Sequence, residues 1–141
     1  MTTTGLDTFD TTVQKSDVWL KHIMKMVGWD SRQRAYRALR GVLHTLRDRL
    51  TVDEGAHLSA QLPMLIRGIF YESWRPADLP VKYRTKEEFL YRIRKEFQND
   101  SDVDPEEATR AVINVLKKEI SSGEFDEIES MLPAEITGIW K

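Results

Sequence analysis

The stretch that decides the fold is Leu62-Pro63-Met64-Leu65-Ile66-Arg67-Gly68-Ile69-Phe70, because a version of it returns seventy residues later. The later copy reads Leu132-Pro133-Ala134-Glu135-Ile136-Thr137-Gly138-Ile139-Trp140, and five of the nine residues are identical. Aligning residues 19–71 with 89–141 without a gap gives 15 identities in 53 positions, where average composition gives roughly 3. An internal repeat of this kind predicts two copies of one structural unit.

Apolar residues follow helical spacing around both copies. Between residues 35 and 50 they recur every three or four positions, which is typical of an amphipathic helix, and no stretch alternates as a strand does. Capping-box spacing opens three further segments: Thr51-x-x-Glu54, Thr85-x-x-Glu88 and Ser121-x-x-Glu124. We therefore expect an all-α protein of eight helices, arranged as two tandem, pseudo-symmetric four-helix units.

The predicted boundaries follow from the same signals. Residues 1–10 are expected to form a flexible N-terminal arm, with the first helix beginning near Thr11. The first helical unit covers residues 11–74, a Pro-containing linker covers 75–84, and the second unit covers 85–141. Gly68 and Gly138 recur inside predicted helices, where glycine costs about 1 kcal/mol relative to alanine. We interpret this recurrence as a sign that a neighbouring helix approaches closely.

Composition argues against several chemistries. The chain has no cysteine, and its three histidines, His22, His44 and His57, are not spaced to share a metal on one helix face. Gly-rich phosphate loops are absent, so we expect no catalytic residue, metal or cofactor. No run approaches the roughly 20 apolar residues of a membrane span, and the N-terminus lacks signal-peptide features, which favours a cytoplasmic protein without a membrane role.

Charge is distributed unevenly along the chain. Residues 1–84 carry a balance of +4 and residues 85–141 a balance of −6, so the two halves should attract each other, within one chain or between chains. The second predicted helix carries basic residues spaced by three and four on one face. A solvated face, docking on the acidic half and contact with phosphates are all compatible with it. The candidate partner-binding residues there are Arg34, Arg37, Arg40, His44 and Arg47.

A second candidate surface lies at the junction before the linker, where aromatic residues alternate with arginine. Such composition is typical of interface hot spots, and it also suits a linker that pins two helical units together. Its candidate residues are Arg67, Tyr71, Trp74 and Arg75. We expect a non-catalytic interaction module that binds an unknown protein partner, or itself as a homo-oligomer. The alternatives are weak phosphate-directed nucleic-acid binding, which the pI near 5.9 disfavours, and a small-ligand site between the two units.

Three stretches carry a resemblance to a known family. They are Trp19-Leu20, the segment from Arg34 to Leu50 (RAYRALRGVLHTLRDRL) and the segment from Ala60 to Pro76 (AQLPMLIRGIFYESWRP), with Glu88-Phe89-Leu90 in the second unit. On these residues the chain resembles a bacterial family of uncharacterised proteins, the domain of unknown function 2267. The resemblance implies a helical, bacterial, cytoplasmic domain. It supplies no catalytic residue, because the family has no established activity.

Overall fold

In a computed structural model, residues 4–141 are described, and in that range the chain is helical with no β-strand. Two short 3-10 turns, Pro76–Asp78 and Lys95–Phe97, accompany the α-helices. The all-α prediction is thereby confirmed. The eight α-helices of the described range are α1 (Asp7–Val27), α2 (Arg32–Arg49), α3 (Val52–Ser59), α4 (Met64–Tyr71), α5 (Lys86–Arg94), α6 (Pro105–Glu119), α7 (Ser122–Ser130) and α8 (Ala134–Thr137).

The start of α1 differs from the prediction. This helix begins at Asp7 rather than near Thr11, so residues 7–10 of the predicted arm are helical, while residues 1–3 of that arm lie outside the described range. Asp7 and Asp10 lie in the first turn, where carboxylates interact favourably with the helix dipole. The Asp10 carboxylate also accepts a hydrogen bond from the Thr4 N–H at 2.7 Å. These interactions extend the helix beyond its hydrophobic stripe.

Other helix starts agree with the capping signals. The Thr51 and Glu54 side chains form the reciprocal bonds of a capping box at α3, and Thr85 and Glu88 do the same at α5. At α7 the Ser121 hydroxyl oxygen accepts a hydrogen bond from the Glu124 N–H. These local interactions therefore place the helix starts where the sequence pattern put them.

The two halves of the chain share one hydrophobic core. The most extensive helix packing joins α1 to α6, and α2 contacts both α5 and α6, so helices of the first half lie against helices of the second. Buried side chains of both halves, such as Trp19, Leu43, Phe89 and Leu116, belong to one cluster. The predicted tandem units are therefore interleaved rather than separate bundles.

The segment between the halves is fixed to α2. After the Pro76–Asp78 turn, the Val81 N–H donates to the Asp48 carbonyl oxygen at 2.6 Å. Tyr83 is buried, and its hydroxyl donates to the Thr45 carbonyl oxygen at 2.8 Å. Burial raises the pKa of the Tyr83 phenol, which stays protonated at physiological pH. The linker is thus part of the core.

The glycine interpretation needs correction. A Cβ added at Gly68 meets nothing within 4 Å, and one added at Gly138 meets only backbone oxygens of its own helix, Ala134 and Glu135. No neighbouring helix approaches either position in the described structure. The close approach occurs instead at Gly41 on α2, where a Cβ would lie 2.7 Å from Glu96 Cγ. Gly41 therefore allows the Lys95–Phe97 turn to pack against α2.

The N-terminal helices of the two halves differ in length. Counting back seventy residues from the start of α5 at Lys86 reaches Ser16, in the middle of α1. The first half therefore has an additional helical segment, residues 7–15, where the second half has the linker.

No helix in residues 4–141 has both the length and the apolarity to cross a bilayer.

Candidate functional site

The basic face of α2 docks against the acidic second half within the same chain. Arg34 holds Asp100 with two hydrogen bonds of 2.6 and 2.8 Å. Arg40 lies between two carboxylates, with Nη1 at 2.6 Å from Glu96 and Nε at 3.2 Å from Glu72. The attraction between the halves is therefore realised intramolecularly, and these two arginines are already paired.

Two further residues of this face hold the end of α4. Arg47 is only 3% exposed, and its Nη1 donates to the carbonyl oxygens of Phe70 at 2.6 Å and Glu72 at 2.7 Å. His44 Nε2 lies 2.7 Å from the Ile69 carbonyl oxygen. Burial lowers the pKa of His44 despite that bond, so its ring is neutral at pH 7 and Nε2 donates. Arg47 thus satisfies carbonyls that the helix end leaves unpaired, whereas the Ile69 carbonyl oxygen accepts from both His44 and the Glu72 N–H at 3.2 Å.

Arg37 differs from the other basic residues of this α2 face, because in residues 4–141 it is neither buried nor paired with a carboxylate. It is exposed, and its bond within the described residues goes to a backbone oxygen, that of Glu96 at 3.3 Å, rather than to a carboxylate. The structure thus brings Arg40, His44 and Arg47 together around the end of α4, whereas Arg34 and Arg37 lie beside the 95–100 segment.

The residues of the aromatic junction contact one another and α3. Arg67 donates to the carbonyl oxygens of Ser59 and Leu62, both at 3.1 Å. The Tyr71 hydroxyl lies 2.7 Å from Ser59 Oγ, and its ring meets that of Trp74 edge-on with centroids 5.0 Å apart. Arg67 and Tyr71 therefore hold α3 against α4. Arg75 is separate from this group and pairs with Asp78 at 3.0 Å.

A large hollow on the described surface is a different feature, an apolar groove between α1, α2 and α4. Its volume is about 840 Å³, within the range of protein binding sites. Val13 is 43% exposed and Leu65 is 46% exposed, although both are large aliphatic residues. We call this hollow the α1–α4 groove; its apolar lining is Val13, Val18, Leu20, Leu39, Leu65, Ile66 and Ile69.

Charged side chains lie at the rim of the α1–α4 groove. Asp17 is shared by two cations, Arg32 at 2.9 Å and Lys21 at 3.3 Å. The Arg32 hydrogen bond, with help from Lys21, lowers the pKa of the Asp17 carboxyl, so it is ionised at neutral pH. Because one carboxylate serves two cations, this part of the rim has an excess positive charge. Glu72, also on the lining, is paired with Arg40.

The wall of the groove contains an unpaired polar atom. Ser16 Oγ is buried, and it has no hydrogen-bond partner among the described residues. Leaving a buried hydroxyl unpaired costs free energy, so such groups are uncommon in folded proteins. The groove wall therefore includes one polar atom whose hydrogen-bonding capacity the described residues leave unused.

The corresponding surface of the second half is polar. The positions seventy residues after Ser16, Tyr36 and Leu65 are Lys86, Glu106 and Glu135. Lys86 Nζ lies 2.8 Å from Glu106 Oε1, and the Lys86 N–H donates to Glu135 Oε1 at 2.9 Å. The fold can therefore cover this place with ion pairs, and the first half presents apolar side chains there instead.

The sequence-based interpretation missed this groove. The helical spacing of apolar residues gave no sign that Val13 and Leu65 would be exposed, as they are in the structure. The ungapped alignment did contain a usable signal. It aligns Leu65 with Glu135 and Tyr36 with Glu106, and a core position shared by both halves would not accept glutamate in place of an apolar or aromatic residue.

Metal ligation has no geometric support in the described part of the chain. No group of three or more His, Asp or Glu side chains lies close enough there to hold an ion. The Asp53 and Glu54 side chains belong to the first turn of α3, where Glu54 completes the capping box.

Comparison with known proteins gives a family and no activity. No curated protein matches the chain. The sequence profile of a family described as "Uncharacterized conserved protein (DUF2267)" matches residues 16–139, which include most of the α1–α4 groove and all of α2 to α8. The match confirms the resemblance found in the sequence. The chain therefore belongs to the DUF2267 family of uncharacterised conserved proteins.

Proposed function

We propose that the chain is a non-catalytic interaction module that binds an amphipathic helix of a protein partner in the α1–α4 groove. The observation that carries the proposal is the exposure of Val13 and Leu65 in a hollow of about 840 Å³. A contiguous apolar groove on a small protein is typical of an interaction site. Grooves between helices commonly accept the apolar face of another helix.

The proposal moves the contact away from the basic face of α2. Arg34 and Arg40 already have carboxylate partners, and Arg47 is buried, so binding a new partner there would first break intramolecular bonds. The aromatic junction has the same difficulty, because Arg67 and Tyr71 hold α3. The α1–α4 groove requires no such exchange.

Charge at the rim specifies the partner further. Lys21 and Arg32 share Asp17, so an acidic residue on the incoming helix would meet an excess cation at that end. The expected partner helix therefore has aliphatic residues at positions i, i+3 or i+4, and i+7, with Glu or Asp beside that stripe. A small apolar ligand would leave Val13 and Leu65 partly exposed, whereas a helix covers both.

A selection experiment tests this proposal. A displayed library of 18-residue helices with that aliphatic pattern is selected against the folded protein, and the enriched peptides are measured by fluorescence polarisation. We expect enrichment of helices with an acidic flank. We also expect replacing that Glu by Lys in a selected peptide to weaken binding. If no helix is enriched, or if acidic and basic flanks bind equally well, the proposed partner chemistry is wrong.

Variants of the protein locate the contact. Leu65→Glu introduces the residue that the second half carries at the equivalent position, and it should weaken binding at least tenfold. Met26→Glu makes the same chemical change at an exposed α1 residue that does not line the groove, and it should leave binding unchanged. Analytical sedimentation of both variants and the wild type measures whether a second copy of the chain occupies the groove instead. Self-association abolished by Leu65→Glu alone would replace the partner helix with a second copy of the chain.

A further inference from the structure

A second surface, around α5 and the turn that follows it, contains more cations than carboxylates. Lys82, Arg92 and Lys95 line a hollow of about 360 Å³, and Lys95 also lines an adjoining hollow with Arg37. In the described part of the chain, Lys82, Lys95 and Arg37 form no ion pair, and Arg92 forms a long one, with Nη1 3.9 Å from Asp48 Oδ2. We call these four residues the α5 strip.

Most acidic groups around the α5 strip are neutralised by cations that lie outside the strip. Asp48 pairs with Arg47 at 2.8 Å, Glu96 with Arg40 at 2.6 Å, and Asp100 with Arg34 at 2.6 Å. Glu88 also lines the first hollow and keeps its negative charge, because hydrogen bonds from the N–H groups of residues 84 and 85 lower the pKa of its carboxyl. Among the described residues it is therefore the one charged carboxylate of that hollow, against the three cations Lys82, Arg92 and Lys95. The strip therefore keeps a positive potential although the whole chain is acidic.

An exposed aromatic ring lies among these cations. Tyr91 is 64% exposed, and Lys95 Nζ lies 4.8 Å from its ring centroid. Arg92 lies over the buried ring of Tyr83, 5.4 Å from the centroid, which leaves Tyr91 as the exposed ring of the hollow. A large exposed aromatic among unpaired or weakly paired cations has no stabilising role in the core. It matches the combination that binds unpaired bases and their phosphates.

From this arrangement we infer that the α5 strip binds single-stranded nucleic acid, with phosphates on Arg37, Lys82, Arg92 and Lys95 and one base stacked on Tyr91. The site lies on a different face from the α1–α4 groove, and the two share no lining residue. A duplex keeps its bases stacked internally, so it can use the cations but not the ring. Single strands are therefore the preferred ligand.

Fluorescence anisotropy with a labelled, unstructured 12-nucleotide RNA, the matching DNA and the matching duplex tests this inference. At low salt the full chain should bind the single strands with a dissociation constant of tens of micromolar, and the duplex more weakly. Because each phosphate contact on a single strand contributes about 0.7 to the slope of log K against log salt, four contacts predict a slope of about −3. Absence of binding at low salt overturns the inference.

Variants separate the roles of charge and ring. Lys95→Glu should weaken binding about tenfold and reduce the salt slope, whereas Lys15→Glu, the same change on α1, should have no effect. Tyr91→Ala should weaken binding about tenfold through lost stacking, and Tyr91→Phe should restore it. Equal losses for Lys95→Glu and Lys15→Glu would indicate nonspecific attraction and overturn the assignment. So would an undiminished affinity of Tyr91→Ala. Circular dichroism melts verify that each variant is folded.

Discussion

Arg40 and Glu96 form an ion pair between the first and second halves of the chain, with Nη1 and Oε2 2.6 Å apart and both side chains largely shielded from water. The pair lies directly beside Gly41, where the absence of a side chain lets Glu96 approach α2. The basic first half and the acidic second half thus attract each other within a single chain. This relationship explains why the basic face of α2 is a poor candidate for an external partner.

Removing one member of this pair should destabilise the fold. Glu96→Gln keeps the shape of the side chain but leaves the Arg40 guanidinium without its strongest acceptor, so we expect a loss of about 1–2 kcal/mol in the free energy of unfolding. The measurement is urea denaturation followed by circular dichroism. Asp78→Asn breaks the exposed pair with Arg75 and should change stability by less than about 0.5 kcal/mol. Equal effects of the two variants would contradict this account of α2.

The two types of helical glycine should respond in opposite directions. Gly68→Ala adds a methyl group where no atom of the described residues lies within 4 Å, so it should raise the free energy of unfolding by about 0.5–1 kcal/mol through helix propensity. Gly41→Ala would place Cβ 2.7 Å from Glu96 Cγ and should lower it by about 1–3 kcal/mol. The measurement is the denaturant midpoint of each variant compared with that of the wild type. A destabilised Gly68→Ala would restore the close-approach interpretation of the repeated motif.

His44 should make stability depend on pH below neutrality. Its pKa in the folded protein is lowered from the ordinary 6.5, chiefly by burial, with Arg47 and Arg40 adding to the effect. Between the lowered value and 6.5 the unfolded chain binds more protons than the folded one, so the free energy of unfolding falls as pH falls through this window. His44→Gln retains a donor for the Ile69 carbonyl and cannot titrate. Urea melts at pH 7.5 and 5.5 should show a smaller pH effect in the variant; identical effects would contradict the prediction.

Arg47 should behave as a structural residue. Arg47→Met removes the donors to the Phe70 and Glu72 carbonyls and leaves buried acceptors unpaired, so we expect a loss of about 2–4 kcal/mol. Arg37→Met, on the exposed part of the same helix face, should change stability by less than about 0.5 kcal/mol. The comparison uses thermal and urea melts of both variants. A fully stable Arg47→Met would return Arg47 to the set of possible partner contacts.

Much of the fold could be predicted from local sequence signals. The capping residues and apolar spacing located most helix starts, because both act within one or two helical turns. The start of α1 was missed because Asp7 and Asp10 extend the helix through interactions outside its apolar stripe. The interleaving of the halves could not be read from periodicity, which reports which face of a helix is buried but not which helix covers it.

The candidate sites were less accessible to sequence reasoning. A run such as Arg34, Arg37 and Arg40 predicts a basic face, yet its partners Asp100 and Glu96 lie about sixty residues away. Val13 and Leu65 are exposed because no helix within residues 4–141 covers them, and no local sequence pattern encodes that. The difference between Leu65 and Glu135 was visible in the sequence alignment. Only the structure shows that Glu135 and Glu106 both contact Lys86, so that the second half is polar where the first half is apolar.

The most direct test of the α1–α4 groove is a methyl NMR titration of the protein with a selected, acid-flanked helix. We expect the methyl resonances of Val13, Leu65 and Ile69 to shift together with a common dissociation constant, while Ile136 and Ile139 of the second half stay in place. In Leu65→Glu the remaining shifts should be lost at the same peptide concentrations. Shifts centred on α8 or on the α2 basic face, with Val13 and Ile69 unmoved, would contradict the proposed binding site.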